Sequence, residues 1–303
     1  MSTTAPSVVS DPPVVSEPQS SGLVAPLLQL SKPRITRLVM VTAACGALVA
    51  PQRINTLTLS IALFATALVV AGANALNMVL ERDVDAKMER TRLRPIPAGR
   101  ISPDLALWFG ICVSGLGIAL LVSLVNLVAA TLAGLALLSY VLVYTPLKRS
   151  THYALHVGAV PGAIPPLIGY AAVAGQIDTA GFLLFLILLV WQLPHFMAIA
   201  IFRRADYQAA GLRVFPVAVG LARTKRAIGF YSVVLLLVSL APVLLGVAGL
   251  VYGIIAGVSG LAFLVWGTYG SRVKETVPWA RSLFLASMPH LVLLFAAFVA
   301  SAM

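Results

Sequence analysis

Long apolar runs broken by short charged joints dominate the chain. Between Leu57 and Leu80 there is no charged residue. Such runs recur at the roughly 20 residues that a helix needs to cross a hydrocarbon layer. They predict nine membrane spans: 35–51, 57–80, 104–124, 127–145, 154–174, 180–202, 228–245, 247–269 and 283–302. The runs are continuous, whereas a membrane β-barrel would show short alternating segments. The joints are too small to fold alone. Residues 23–303 are therefore expected to form one all-α, polytopic transmembrane domain. Residues 1–22 are rich in Pro, Ser and Val and hold no Lys or Arg. They lack the basic start of a signal peptide and read as a disordered cytoplasmic tail.

Composition agrees. Of 303 residues, 60% are hydrophobic and 10% charged, too few charges to cover a soluble surface. Charge then orients the spans. Every Lys and Arg except Arg53 falls on joints of one side of the predicted layer. The positive-inside rule makes that side cytoplasmic, with the N-terminus in and the C-terminus out. The net charge of +11 is thus a topology signal, and no basic stripe interleaved with aromatics points to nucleic acid. Cys45 and Cys112 both lie within spans and read as packing residues.

The spans hold almost no ionisable groups at mid-depth, where an ion-coupled transporter needs them. Charge gathers at helix mouths instead, above all in residues 77–100, "NMVLERDVDAKMERTRLRPIPAGR". On a helix, residues four apart share a face. Asn77, Glu81 and Asp85 then form one polar line leaving the second span, Met88 continues it, and Asp83 points the other way. The helix is expected to run on to Arg94, since Pro95 disfavours helical backbone before it. Three oxygen-bearing side chains on one face suit Mg²⁺, which binds one or two carboxylates plus substrate phosphate oxygens. Arg90, Arg92 and Arg94 follow, and guanidinium groups bind phosphate bidentately. A metal-bridged diphosphate fits this order of acid and base. So does a salt-bridged juxtamembrane helix with no site.

Two further mouths favour the site. "LVYTPLKRS" ends the fourth span with Tyr144, Lys148 and Arg149. The sixth ends with Arg203, Arg204 and Asp206. Three such mouths can converge on one ligand.

Four stretches are similar to UbiA-type intramembrane prenyltransferases: "SKPRIT" at 31–36, "NMVLERDVDAKMERTRLRPIPAGRIS" at 77–102, "YTPLKRST" at 144–151 with "GAVPGAIPPLIGY" at 158–170, and "WQLPHFMAIAIFRRADYQAAG" at 191–211, followed by "FPVAVG" at 215–220. The chain most resembles the branch that farnesylates protoheme IX. The resemblance implies a nine-helix prenyltransferase bundle in the bacterial inner (plasma) membrane. It implies transfer of farnesyl from farnesyl diphosphate to a vinyl group of heme b, with Mg²⁺ as cofactor and heme O and diphosphate as products. It maps Asn77, Glu81 and Asp85 onto the first metal motif, Tyr144 and Lys148 onto a Tyr-x-x-x-Lys feature with Lys148 on the diphosphate, and Asp206 onto the second acidic motif. Glu81 stands where many members have Asp, and Ala210 where relatives often carry a further Asp, so a second metal held by Asp206 would need water or diphosphate to complete its shell. Arg90, Arg94, Arg149 and Arg203 complete the expected substrate-binding set. A downstream heme A synthase or terminal oxidase is a partner implied by the resemblance alone.

His195 lies eleven residues before Asp206. On an unbroken helix the two would share a face about 16 Å apart. His195 is thereby a candidate for heme contact, although it, like Gln192, can also bond a neighbouring helix. His152 and His156, four apart, read as packing or interface residues; His290 receives no role, and Trp191 reads as core. Two rivals remain: a sister prenyltransferase with an aromatic acceptor such as 4-hydroxybenzoate, and a transporter of an anionic lipid or metabolite. The transporter predicts a polar entrance on the far side, where the sequence offers Arg53 and Asp178.

Overall fold

A computed structural model describes residues 22–303. The tail expected over 1–22 lies, except for Gly22, outside the described residues. In chain order the elements are α1 (Val24–Leu30), α2 (Pro33–Val49), α3 (Thr56–Asp85), α4 (Pro103–Leu124), α5 (Leu127–Leu138), a π-helical segment (Ser139–Tyr144), α6 (Thr145–Leu147), α7 (Ala154–Ala174), α8 (Thr179–Phe202), α9 (Arg204–Ala209), α10 (Phe215–Ala218), α11 (Leu221–Leu244), α12 (Leu250–Tyr269) and α13 (Thr276–Ala302). The described residues contain no strand. Side-chain caps start several of the long helices: Asn55 on α3, Ser102 on α4, Asn126 on α5 and Asp178 on α8 each accept a bond from a first-turn N–H.

Eight helices are long and apolar enough to cross a bilayer, with α5, the π segment and α6 forming one span, Leu127–Leu147. The ninth expected span is α2, which has only 17 residues, about 26 Å at 1.5 Å per residue. It stops at Val49 rather than 51 because Ala50, before Pro51, turns to extended backbone (ψ 135°). Two other helices start earlier than expected, α11 at Leu221 and α13 at Thr276. Their first two turns carry Arg223, Lys225, Arg226 and Arg281, whose long stems let charge leave an apolar helix start. Lys225 donates to the Val273 carbonyl at 2.8 Å.

Helix α7 is the shared wall of the bundle. Ala163 and Tyr170, seven residues apart, join a core with α8, α11, α12 and α13 residues such as Ile187, Leu235, Tyr252 and Leu294. Its Ile164, Leu167, Ile168 and Ala171 join a second core with Ala65 and Val69 of α3, Leu121 of α4 and Ala129, Ala130, Leu132 and Ala133 of α5. Glycine lets α2 lie directly on α7. A Cβ on Gly46 would stand 1.9 Å from the Pro166 carbonyl oxygen, and one on Gly169 1.8 Å from that of Ala43. Leu244, Leu250 and Val251 are exposed, as lipid-facing positions are.

One expectation is corrected here. Helix α3 ends at Asp85, nine residues before Arg94. The Thr91 hydroxyl donates to the Asp85 carbonyl at 2.8 Å, occupying an acceptor that another helical turn would need. Met88 then leaves the polar line and is buried with Val84, Ala210 and Leu212. That apolar contact brings the end of α3 to the segment after α8.

Candidate active site

The polar line survives on α3. Asn77, Glu81 and Asp85 are 2%, 3% and 1% exposed, so three of the most polar side chains on an apolar helix are hidden from solvent. Each is met by a cation from a different segment. The Lys32 ammonium donates to the Asn77 side-chain oxygen at 3.1 Å. Lys148 pairs with Glu81. Arg94, folded back by the turn after α3, donates from Nη1 to Asp85 Oδ2 at 2.6 Å. The other Asp85 oxygen, Oδ1, is buried with no protein partner.

Local structure sets these directions. The π-helical turn ahead of Pro146 inserts one extra residue, and the Thr145 N–H bonds the Tyr140 carbonyl five residues back. Thr145 Oγ1 also donates to Tyr140 O at 2.8 Å. Its one hydrogen being spent, that hydroxyl can only accept from Asn77 Nδ2, 3.1 Å away. The amide oxygen of Asn77 is therefore the atom that meets Lys32, an assignment fixed by the bonding network. The same turn stacks Tyr140 on Tyr144, with ring centroids 5.5 Å apart, and leaves the Lys148 ammonium 5.6 Å from the Tyr144 ring centroid. Arg149 is drawn onto α3 and donates to the Leu80 carbonyl.

Lys32 and Thr145 were not among the expected site residues. Lys32 reads in sequence as one more cation of the positive side. Its backbone is left-handed (φ 44°, ψ 66°), the one positive φ outside glycine among the described residues. The Ser31 carbonyl before it accepts from Asn74 Nδ2 at 3.4 Å and from Thr36 Oγ1 at 2.8 Å, which ties the α1–α2 joint to α3. Leu30 is fully buried beside Ala75 and Met78. Although part of the Lys32 side chain stays accessible, loss of hydration around the amine, with Arg94 next in weight, lowers its pKa to about 7. Glu81 and Asp85 oppose that shift and Lys148 adds to it.

The second acidic mouth carries a looser pair. Asp206 pairs with Arg203 at 3.5 Å. Burial raises the Tyr207 pKa, against the pull of Arg90, Arg203 and Arg94 and with a push from Asp206, so these groups share one neighbourhood. Among the described residues no three His, Cys, Asp or Glu side chains form a ready-made metal cage. Two carboxylates and an amide oxygen on one face, with one carboxylate oxygen free, nevertheless fit Mg²⁺, which completes its shell with water and substrate phosphate.

His195 sits elsewhere. The expected common face with Asp206 is lost, because α8 ends at Phe202 and Arg203 (φ −107°, ψ 15°) breaks the helix. The ring stacks on Trp191 at 4.4 Å and lies 4.8 Å from Phe284. Its Nδ1 is 2.7 Å from Ser287 Oγ, which itself donates to the Phe284 carbonyl at 2.6 Å. The imidazole must then donate from Nδ1, leaving the lone pair on Nε2. Gln192 bonds the neighbouring helix through the Ala159 carbonyl at 3.1 Å, and Trp191 donates to the Ser287 carbonyl at 2.7 Å. His156 bonds Tyr231 at 2.8 Å beside a hollow of about 430 Å³ that also touches Tyr153, Phe215, Arg223 and Arg226; none of the expected site residues lines it. On the far side, Asp178 caps α8 and accepts from Tyr170, so the transporter's second entrance is not built from it.

A bundle of apolar helices with an acidic line and converging cations at one mouth is the architecture of an intramembrane prenyltransferase. Residues 38–288 match the UbiA prenyltransferase family, and the chain belongs to that family. Its relatives include the protoheme IX farnesyltransferase of Sorangium cellulosum (strain So ce56), 55% identical over 80% of this chain and 87% of that one. Solved structures of like fold include a digeranylgeranylglyceryl phosphate synthase (TM-score 0.79, 18% identity, 92% of this chain and 98% of that one). A UbiA homolog from Archaeoglobus fulgidus bound to GPP and Mg²⁺ is a second (TM-score 0.65, 16% identity, 90% and 99%).

Proposed function

We propose that the protein transfers the farnesyl group of farnesyl diphosphate to a vinyl group of heme b and that a water then adds to the cation left on the vinyl carbon, giving heme O, diphosphate and a proton. The observation that carries the reading is the buried Asn77–Glu81–Asp85 line met by Lys32, Lys148 and Arg94 at one mouth of the bundle. The acceptor follows from the likeness to a protoheme IX farnesyltransferase. The cation-rich face is cytoplasmic in a bacterial inner membrane, so the charged donor head arrives from water while its tail stays among helices.

Glu81, Asp85 and the Asn77 oxygen would hold Mg²⁺, which when bound supplies Lewis-acid stabilisation to a departing diphosphate. Lys148 and Arg94 offer preorganised positive charge to the same oxygens. Removing one such group from a water-poor site typically costs about 2.7–4 kcal/mol of barrier. Arg90 and Arg203 extend the cationic rim, Arg149 holds the α6 end against α3, and Asp206 orients Arg203. Tyr144 lies against Lys148 and limits its motion. The apolar walls keep water from the allylic carbon until the vinyl group is reached. His195, with its Nε2 lone pair free, is assigned to the heme. A heme A synthase or terminal oxidase would consume the product.

The test is incubation of purified protein in lipid nanodiscs with farnesyl diphosphate, Mg²⁺ and either heme b or 4-hydroxybenzoate. Heme O as the sole prenylated product is expected. A prenylated benzoate without heme O would overturn the acceptor, and no transfer to either would overturn the reading.

A further inference from the structure

We propose that Lys32 is a further diphosphate-binding residue: its ammonium leaves the Asn77 oxygen for the donor's diphosphate as the metal takes that oxygen, so metal and diphosphate are taken up together. The inference rests on the magnesium–diphosphate reading of the site.

Three observations lead to it. First, the Lys32 ammonium is 3.1 Å from Asn77 Oδ1, the amide atom left free when the Thr145 hydroxyl takes the amide nitrogen. Second, the backbone that puts it there is strained. A lysine at φ 44° is uncommon, and a following proline steers its predecessor toward extended backbone. Glycine or asparagine would hold the same turn with less strain. The clamp on the Ser31 carbonyl keeps the turn in place, so what lysine adds is the amine. Such strain concentrates where a side chain must be aimed. Third, Lys32 completes a pattern. Lys32 covers Asn77, Lys148 covers Glu81 and Arg94 covers Asp85. Every side chain that would ligate the metal is engaged by one of the chain's own cations.

A divalent ion entering alone must compete with those cations for the same oxygens, and it is repelled by their charge. A diphosphate entering alone meets cations already bound to acids. Entering together, the metal takes the acids and the diphosphate takes the cations. Each ligand then removes the other's competitor, which is positive coupling, and coupling of this kind is reciprocal.

The test uses the full chain in nanodiscs, with Mn²⁺ as a paramagnetic stand-in for Mg²⁺ read by electron paramagnetic resonance, and inorganic pyrophosphate as the second ligand. In the wild type, saturating pyrophosphate should tighten Mn²⁺ binding by about tenfold or more, within the range usual for coupled sites. In Lys32→Asn, which suits left-handed backbone and so keeps the fold, Mn²⁺ alone should bind more tightly than to wild type. The pyrophosphate effect should shrink several-fold. Lys32→Arg keeps the charge and should retain the coupling. Wild-type coupling in Lys32→Asn, or no coupling in the wild type, overturns the proposal. The double variant Glu81→Gln, Asp85→Asn separates the two readings. Its loss of Mn²⁺ leaves the metal assignment standing whatever Lys32 does, and wild-type Mn²⁺ binding to it removes that assignment.

Discussion

Replacing Asp85 by asparagine exchanges one carboxylate oxygen for an amide nitrogen and removes one negative charge, with almost no change in shape. The side chain is 1% exposed, and its Oδ2 lies 2.6 Å from Arg94. Asparagine can still accept from Arg94, whose own side chain keeps 22% exposure. The stability loss should therefore fall at roughly 1–3 kcal/mol, between the near-zero worth of an exposed pair and the larger cost of breaking a buried one. Turnover should fall much further. Losing a ligand weakens the hold on the ion that would stabilise the departing diphosphate, and removing one stabilising group at a developing anion costs about 10²–10³ in rate. Asp83 provides the internal comparison. It lies two residues away, is 72% exposed, and pairs loosely with Arg82 at 3.6 Å. Asp83→Asn should leave both stability and turnover unchanged. Initial rates of heme O formation in nanodiscs, with thermal midpoints measured alongside, decide the matter. An Asp85→Asn rate within about fivefold of wild type, roughly 1 kcal/mol of barrier, refutes the metal role.

Lys148→Ala should raise the dissociation constant for farnesyl diphosphate about tenfold or more and slow turnover severely, because it also strands the buried Glu81 carboxylate; an unchanged donor titration takes Lys148 out of the site. His195→Ala should alter the absorption spectrum of bound heme, and Ser287→Ala should shift it less by freeing the ring; an unaltered spectrum with full activity returns His195 to packing. Gly169→Ala should lower the thermal midpoint, since its Cβ would meet the Ala43 carbonyl at 1.8 Å and overpacking of that kind costs about 1–3 kcal/mol or more; a variant as stable as wild type would show that α2 slides freely on α7.

Span positions were legible because apolar runs of bilayer length leave little freedom, and the α3 line was legible because residues four apart must share a face. The course of the chain beyond Asp85 was not. "AKMERTRL" is made largely of good helix formers, yet Thr91 takes the Asp85 carbonyl and Met88 is drawn toward Leu212. Arg94 reaches Asp85 only because of that break. The π turn was equally hidden: Pro146 marks a disturbance, but not that Thr145 would be turned to the Asn77 amide. Lys32 escaped because its partner lies 45 residues away and its charge already had an explanation in topology. The register from His195 to Asp206 failed at Arg203, where no proline or glycine warns of the break.

The capping of α8 by Asp178 reaches beyond local stability. That carboxylate is fastened to Ala180, Gly181 and Tyr170, and among the described residues Arg53, exposed, is the one cation on the joints of that side. On the proposed reading pyrophosphate, an anion that needs cations along its way, would leave by the cation-rich mouth where its parent entered. That reading moves no ion across the layer, and turnover in sealed vesicles should then ignore an imposed voltage.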